Sequence, residues 1–285
     1  MRGAAWYTAP FALGVVLLLV LPALTTFYYA FTDHTGLGDP NLNGLANFRR
    51  MGSDPFFHAS LRASLIFAAL AVPLRLFVAT GMGLLLAAPR RLGRWYRAAV
   101  YVPTVVPDIV LALTFLWVFN PLYGPMNGML GALGLPTPAW LGTPWGARSA
   151  IVIMMLFPVG EAFLVVLAAR RSLDPSVYAA AAVDGASPWQ TLRYITLPQL
   201  APLLLLLAAR DVILTLQVNF VPAYVLTDGG PGNATLFLPI YIFDQAFEFL
   251  GFGYGASLTL VLMGITVLFI ALPLLVVRRW GFLRR

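Results

Sequence analysis

The chain has 285 residues, of which 60% are hydrophobic and only 10% charged, and a net charge of +7. Soluble chains average about 25% charged residues, so a water-facing globular domain of this size is excluded and lipid is the natural solvent. The basic residues are all arginine and cluster at the ends of apolar runs, which encodes membrane topology and argues against a nucleic-acid partner. With no cysteine, disulfides, thiolate catalysis and cysteine metal sites are excluded, and no cofactor is expected.

In chain order, the first apolar run extends from Ala4 to about Phe31. It exceeds the 7–15-residue core of a secretory signal and is read as a retained first span. Six apolar segments follow one another over roughly 5–31, 59–88, 98–120, 149–170, 199–226 and 254–277. About 20 apolar residues cross the hydrocarbon core as a helix. Backbone groups in lipid must bond internally, and no segment alternates like a strand. The expectation is an all-α, polytopic bundle of six transmembrane helices in a single transmembrane domain. Polar, Gly/Pro-rich stretches such as Asp33–Ser53 and Leu122–Arg148 connect them, leaving no room for a large soluble catalytic domain.

Arginine placement gives the orientation. With the N-terminus inside, twelve arginines are cytoplasmic: Arg2, Arg90, Arg91, Arg94, Arg97, Arg170, Arg171, Arg193, Arg278, Arg279, Arg284 and Arg285. Four lie outside (Arg49, Arg50, Arg62 and Arg148). The positive-inside rule then places both termini in the cytoplasm, and a bacterial inner membrane is the expected location.

Charges within spans are costly and are functional candidates by default. Arg75 lies near the middle of the second span, and a structural ion pair is the bland reading for it and for Arg210. Asp108 sits beside Pro107 in the third span, and Glu161 follows Pro158 and Gly160 in the fourth, where a kink opens a cavity. In the fifth span Asp211, Thr215 and Asn219 are spaced i, i+4, i+8 and so share a helical face, flanked by Gln217.

The stretch between the fourth and fifth spans, residues 171–198, is not ordinary loop. Asp174-Pro175 is a helix start, with an acidic cap followed by proline at the first helical position. Tyr178 and an alanine run carry that helix to a stop at Gly185. A second short helix starts at Ser187-Pro188 and is expected to end near Leu197-Pro198. The result is a compact helix–turn–helix on the cytoplasmic side.

Ala179-Ala180-Ala181, then Asp184-Gly185-Ala186, then Ile195, Leu197 and Pro198 match at every spacing the cytoplasmic loop of importer permeases of the ABC class. That loop is patterned Glu-Ala-Ala, three residues, Gly, nine residues, Ile, one residue, Leu-Pro. One position departs: the glutamate of the pattern is Ala179. The resemblance continues in Gly44-Leu45-Ala46-Asn47-Phe48, in Leu226-Thr227-Asp228-Gly229-Gly230-Pro231, and from Ala246-Phe247 to Gly253-Tyr254-Gly255. These are similar to the maltose/glycerol-phosphate group of carbohydrate permeases.

The resemblance implies that the loop docks into a cytoplasmic ATPase and that substrate binds near the bilayer middle, on polar residues of these same spans. It implies partners too: a second, homologous permease forming a heterodimer, two ABC ATPase subunits and an extracytoplasmic solute-binding protein. A sugar or sugar-like polyol is the implied cargo. No Gly-x-x-x-x-Gly-Lys-Ser/Thr loop is present, so ATP must be hydrolysed on another chain. His34 and His58 fall in outer loops, which leaves no buried serine–histidine pair for a membrane enzyme. The rival class is a secondary transporter driven by an ion gradient, but the internal repeats common in that class are not visible.

Overall fold

The computed structural model describes residues 4–88, 91–218 and 220–279. Among these residues the chain is helical, and its extended pairing is a single bridge between Thr32 and Leu42. Four helices are long and apolar enough to cross a membrane: Tyr7–Tyr29, Pro55–Leu85, Pro188–Gln217 and Phe252–Ala271. Two further helix pairs pass together but are bent, Gly93–Val105 with Asp108–Val118 by 99° and Pro144–Met155 with Gly160–Ser172 by 50°. Counting each bent pair as one span gives six. Arg2, Arg90, Arg284 and Arg285, used above for orientation, lie outside the described residues, as does Asn219.

Proline causes both breaks. Val106, ahead of Pro107, is extended at φ −74° and ψ 128°, because a following proline ring disfavours the helical conformation. Pro158 similarly ends the helix before it. A break inside an apolar medium strands backbone donors, and here one break supplies the other: the Gly160 N–H donates to Thr104 Oγ1 at 2.9 Å. The two elements approach so closely that a Cβ on Gly160 would lie 2.4 Å from Thr104 Oγ1 and 2.8 Å from Tyr101 Cα.

The fifth helix departs from the expected pattern. It begins at the Ser187 capping box with Gln190 and runs without a stop through Pro198 to Gln217. A π-helical turn at Leu192–Thr196 stands immediately ahead of Pro198. Widening the turn absorbs the proline ring and its missing N–H, so the proline that reads as a terminator is accommodated. A second π-helical turn, Leu214–Val218, re-phases the faces beyond it. Asp211 and Thr215 are buried in the bundle while the flanking Gln217 points outward; the third member of the expected stripe, Asn219, is the one outside the described residues.

At the end of the bundle opposite residues 174–198, Asp54 ties three elements together. Its Oδ1 accepts from the backbone N–H groups of Phe56 and Phe57, capping the Pro55–Leu85 helix, while Oδ2 accepts the hydroxyls of Tyr241 and Tyr254. Nearby, Asn47 Nδ2 donates to the carbonyls of Ala30 and Thr32, both at 2.9 Å, closing the end of the first helix. The first helix itself has none of its apolar window buried within the chain, against 39% for Pro55–Leu85, so lipid or another subunit must cover it.

Two outcomes follow from these contacts. Gly160→Ala should lower thermal stability in detergent by about 1–3 kcal/mol, since the methyl overpacks the crossing of the two broken spans. Burial alone would raise the Asp54 carboxyl, but the bonds from Tyr241, Tyr254 and the Phe57 and Phe56 amides outweigh it and hold its pKa below the ordinary value. A depressed folded pKa contributes stability above the unfolded value of about 3.9 and loses it as pH falls through the folded value. The stability lost in Asp54→Ala, about 1–2 kcal/mol, should therefore be constant from pH 5 to 8 and vanish only in strong acid.

Candidate functional site

Residues 174–198 form the first half of the site. The Asp174 carboxylate accepts the Ser176 N–H at 2.8 Å and starts the Pro175–Val183 helix. That helix ends in a paired-bond stop, with Ala186 N–H donating to Ala181 O at 2.9 Å and Gly185 N–H to Ala182 O at 3.2 Å. Gly185 has φ +74°, the left-handed conformation this stop requires, and open space where a side chain would project. The constraint at Gly185 is thus on the backbone alone.

The alanines differ in exposure. Ala181 is buried, whereas Ala179 and Ala180 face outward with Asp184. Tyr178 fastens the short helix to the bundle: the Arg170 guanidinium lies 4.1 Å over its ring, and its hydroxyl is 3.1 Å from Thr196 Oγ1. Beside it Val183 is 88% exposed, Trp189 65% and Tyr194 68%, a set of large apolar side chains left uncovered at the tip. Ile195 and Leu197 are half-buried and Pro198 is exposed on the following helix.

The second half is a charged belt within the bundle. Arg75 Nη1 and Asp211 Oδ1 are 3.2 Å apart, with both side chains about nine-tenths buried. Arg210 pairs with Glu161, and these two side chains remain 43% and 54% exposed. Arg210, Asp108 and Glu161 also act electrostatically on Arg75, so charges from four separate spans converge. The broken spans deliver two of them: Asp108 and Glu161 each stand in the first turn of the helix that follows a break. A carboxylate is favoured there by the partial positive charge of the helix N-terminus.

The structure therefore brings Asp108, Glu161, Arg210, Asp211 and Arg75 together, with Thr215 one turn beyond. It separates Gln217 from that group. Asp211 is engaged by Arg75 in the structural ion pair expected of that arginine. Sequence reasoning missed the far-end knot of Arg50, Asp54, Tyr241 and Tyr254, in which the Arg50 guanidinium lies 4.0 Å over the Tyr254 ring. Its signal was Asp54-Pro55, the same cap-then-proline pattern that marked Asp174-Pro175.

Comparison with known proteins fits this arrangement. The family described as binding-protein-dependent transport system inner membrane component matches residues 79–281. The trehalose/maltose transport system permease protein MalF of Thermococcus litoralis is 33% identical over 87% of this chain and 84% of its own length. The diacetylchitobiose uptake system permease protein NgcF of Streptomyces coelicolor is 32% identical over 97% of this chain and 82% of its own. The sulfoquinovosyl glycerol transport system permease protein SmoG of Agrobacterium fabrum is 30% identical over 95% and 88%. A chain of the crystal structure of a bacterial ABC transporter that imports the acidic polysaccharide alginate superposes with a TM-score of 0.85 over 98% of this chain and 96% of that chain. At 20% identity it shows the shared fold.

The class defined by this fold and these matches is the membrane-embedded, multi-pass permease of an ABC transporter, with ATP hydrolysis carried by a separate subunit. The chain belongs to the binding-protein-dependent transport system inner membrane component family. This sets aside the ion-gradient carrier.

The buried pair gives a direct test. Removing one partner of a buried ion pair costs about 3–5 kcal/mol because the other charge is left uncompensated. Asp211→Asn and Arg75→Gln should each reduce the yield of folded protein, while the double variant Arg75→Leu/Asp211→Leu should recover most of it. Yield is read by size-exclusion chromatography in detergent, and equal loss in the double variant would refute a pairwise role.

Proposed function

We propose that this chain conducts a sugar or sugar-like polyol across the inner membrane by alternating access. In this reading it pairs with a second, homologous permease, is driven by two cytoplasmic ABC ATPase subunits, and receives substrate from an extracytoplasmic binding protein. The observation that carries the saccharide class is the set of relatives with saccharide or glycoside cargo, each at least 30% identical across most of this chain. The uncovered first helix supplies surface for the second permease. The twelve-to-four arginine bias supports both termini being cytoplasmic, with residues 171–198 on the same side.

The ATPase-contacting element is assigned to Asp174, Tyr178, Ala179, Ala180, Ala181, Asp184, Gly185, Ala186, Ile195, Leu197 and Pro198. Tyr178 and Ala181 hold it to the bundle, and the outward residues meet the partner. The substrate path is assigned to Asp108, Glu161, Asp211, Thr215, Gln217 and Asn219. Of these, Asp108, Glu161 and Gln217 already face outward from the chain. Asp211 and Thr215 reach the path only when the Arg75 pair opens.

Purification of the assembled complex tests the class: an ATPase, a second permease and a binding protein loaded with a saccharide should co-elute with this chain. A phosphate ester or amino acid as the retained ligand would overturn the saccharide reading. Gly185→Val tests the loop, because a β-branched residue is strained at positive φ. We expect normal membrane insertion, retained basal ATP hydrolysis and uptake reduced at least about tenfold, roughly 1.4 kcal/mol of lost coupling. Fully coupled uptake in that variant would remove the loop from the mechanism.

A further inference from the structure

A cavity of about 770 Å³ opens at the end of the bundle opposite residues 174–198. It begins where the Pro55–Leu85 helix begins. Arg75 lies 21 residues further along that helix than Asp54, or about 30 Å at 1.5 Å per residue, so the cavity is separate from the charged belt. Its volume lies within the ~300–1,000 Å³ range of small-molecule sites. Resting on the saccharide reading above, we propose that this cavity is a binding antechamber for a neutral, hydroxyl-rich saccharide. Its walls are Arg50, Asp54, Phe56, Tyr241, Asp244 and Phe249, and it holds the ligand before the membrane path opens.

The polar groups of the cavity are fixed in advance. Asp54 is held by two tyrosine hydroxyls and two backbone amides. Arg50 is stacked on Tyr254 and donates from Nη2 to Gln245 Oε1 at 3.4 Å. A site whose groups are held by neighbouring contacts binds without paying to order them.

The lining also has the two faces a sugar needs. Ionised carboxylates only accept hydrogen bonds, and sugar hydroxyls donate them. Asp244 is pushed up to about 6 by burial and by the like charges of Glu248 and Asp228, so at neutral pH it is mostly an ionised acceptor. Phe56, stacked on Tyr241, is 51% exposed and Phe249 is 68% exposed, leaving flat apolar rings uncovered beside the carboxylates. The C–H face of a pyranose ring covers such a surface. Charge sets the class within sugars. Asp54, Asp228 and Asp244 face a single guanidinium, Arg50, so a uronate, sulfonate or phosphate is repelled.

Saturation-transfer NMR on the full permease–ATPase complex in lipid nanodiscs, without binding protein, tests this, alongside uptake in proteoliposomes. The neutral probes are maltose, lactose and diacetylchitobiose, with digalacturonate as the acidic one. We expect a saturable signal from the neutral probe that is transported and none from digalacturonate. Ser53→Trp, which fills the mouth from an exposed position, and Asp244→Leu should abolish the signal. Both should raise KM for uptake about tenfold with little change in kcat. Wild-type KM and no NMR signal, with uptake intact, would overturn the antechamber and leave the saccharide reading standing. Failure of every neutral probe to be bound or transported overturns both. Loss of binding-protein-stimulated ATPase activity in Ser53→Trp, with no saccharide signal in the parent, assigns the cavity to protein docking instead.

Discussion

In lipid a backbone N–H or C=O has no water to fall back on, and an unsatisfied group costs several kcal/mol. This constraint makes the crossing of the two broken spans the point on which the architecture depends. Pro107 and Pro158 interrupt helices inside the apolar region, and the interruption is tolerated because Thr104 accepts the Gly160 N–H. Glycine is required there by space, since a methyl would strike Thr104 and Tyr101. Once the breaks exist, each creates a helix N-terminus at depth, and each N-terminus carries a carboxylate, Asp108 or Glu161. The charged belt is thus a consequence of how the breaks are satisfied.

The fifth helix connects that belt to the helix–turn–helix of residues 174–198. From Pro188 to Gln217 it is one helix, about 45 Å long at 1.5 Å per residue. Its first turns are fastened to the short 175–183 helix through Thr196 and Tyr178, and its later turns carry Arg210 and Asp211. Gly185–Ser187 and both ion pairs are therefore linked through one continuous helix. The two π-helical turns are the compliant points of that element, because a widened turn re-phases easily. The partners of the two pairs, Arg75 and Glu161, stand on other spans. Any movement of the fifth helix relative to them would therefore change both pairs.

Much of this was legible in the sequence. Composition and run length gave a helical membrane bundle, since nothing else buries so much apolar surface with so few charges. The cap-then-proline signatures at Asp174 and Ser187 are local chemistry, and both formed the caps they encode. The continuous helix through Pro198 was not legible, because the π-helical turn that rescues it depends on the packing of Thr196 against Tyr178. Nor was the second π-helical turn, over Leu214–Val218, since periodicity counting assumes a constant turn. The Asp54 knot joins residues nearly 200 positions apart. Its local signature was visible, but its tyrosine partners are set by tertiary structure.

The charge distribution along the proposed path bears on which cargo it admits. The far-end cavity and the charged belt are both net acidic, the belt having Asp108, Glu161 and Asp211 against Arg75 and Arg210. In the belt each arginine is matched to a specific carboxylate, so Asp108 is left as the acceptor without a cationic partner of its own among the ion pairs of the described residues. A neutral polyol presents hydroxyl donors to such a route and gains hydrogen bonds at each stage without carrying charge into low dielectric. An anionic cargo seeking Arg75 would first have to displace the buried Asp211, leaving that carboxylate unpaired at the several kcal/mol a lone buried ion costs. On the proposed path the arginines that an anion would seek are already paired with carboxylates, which favours a neutral cargo.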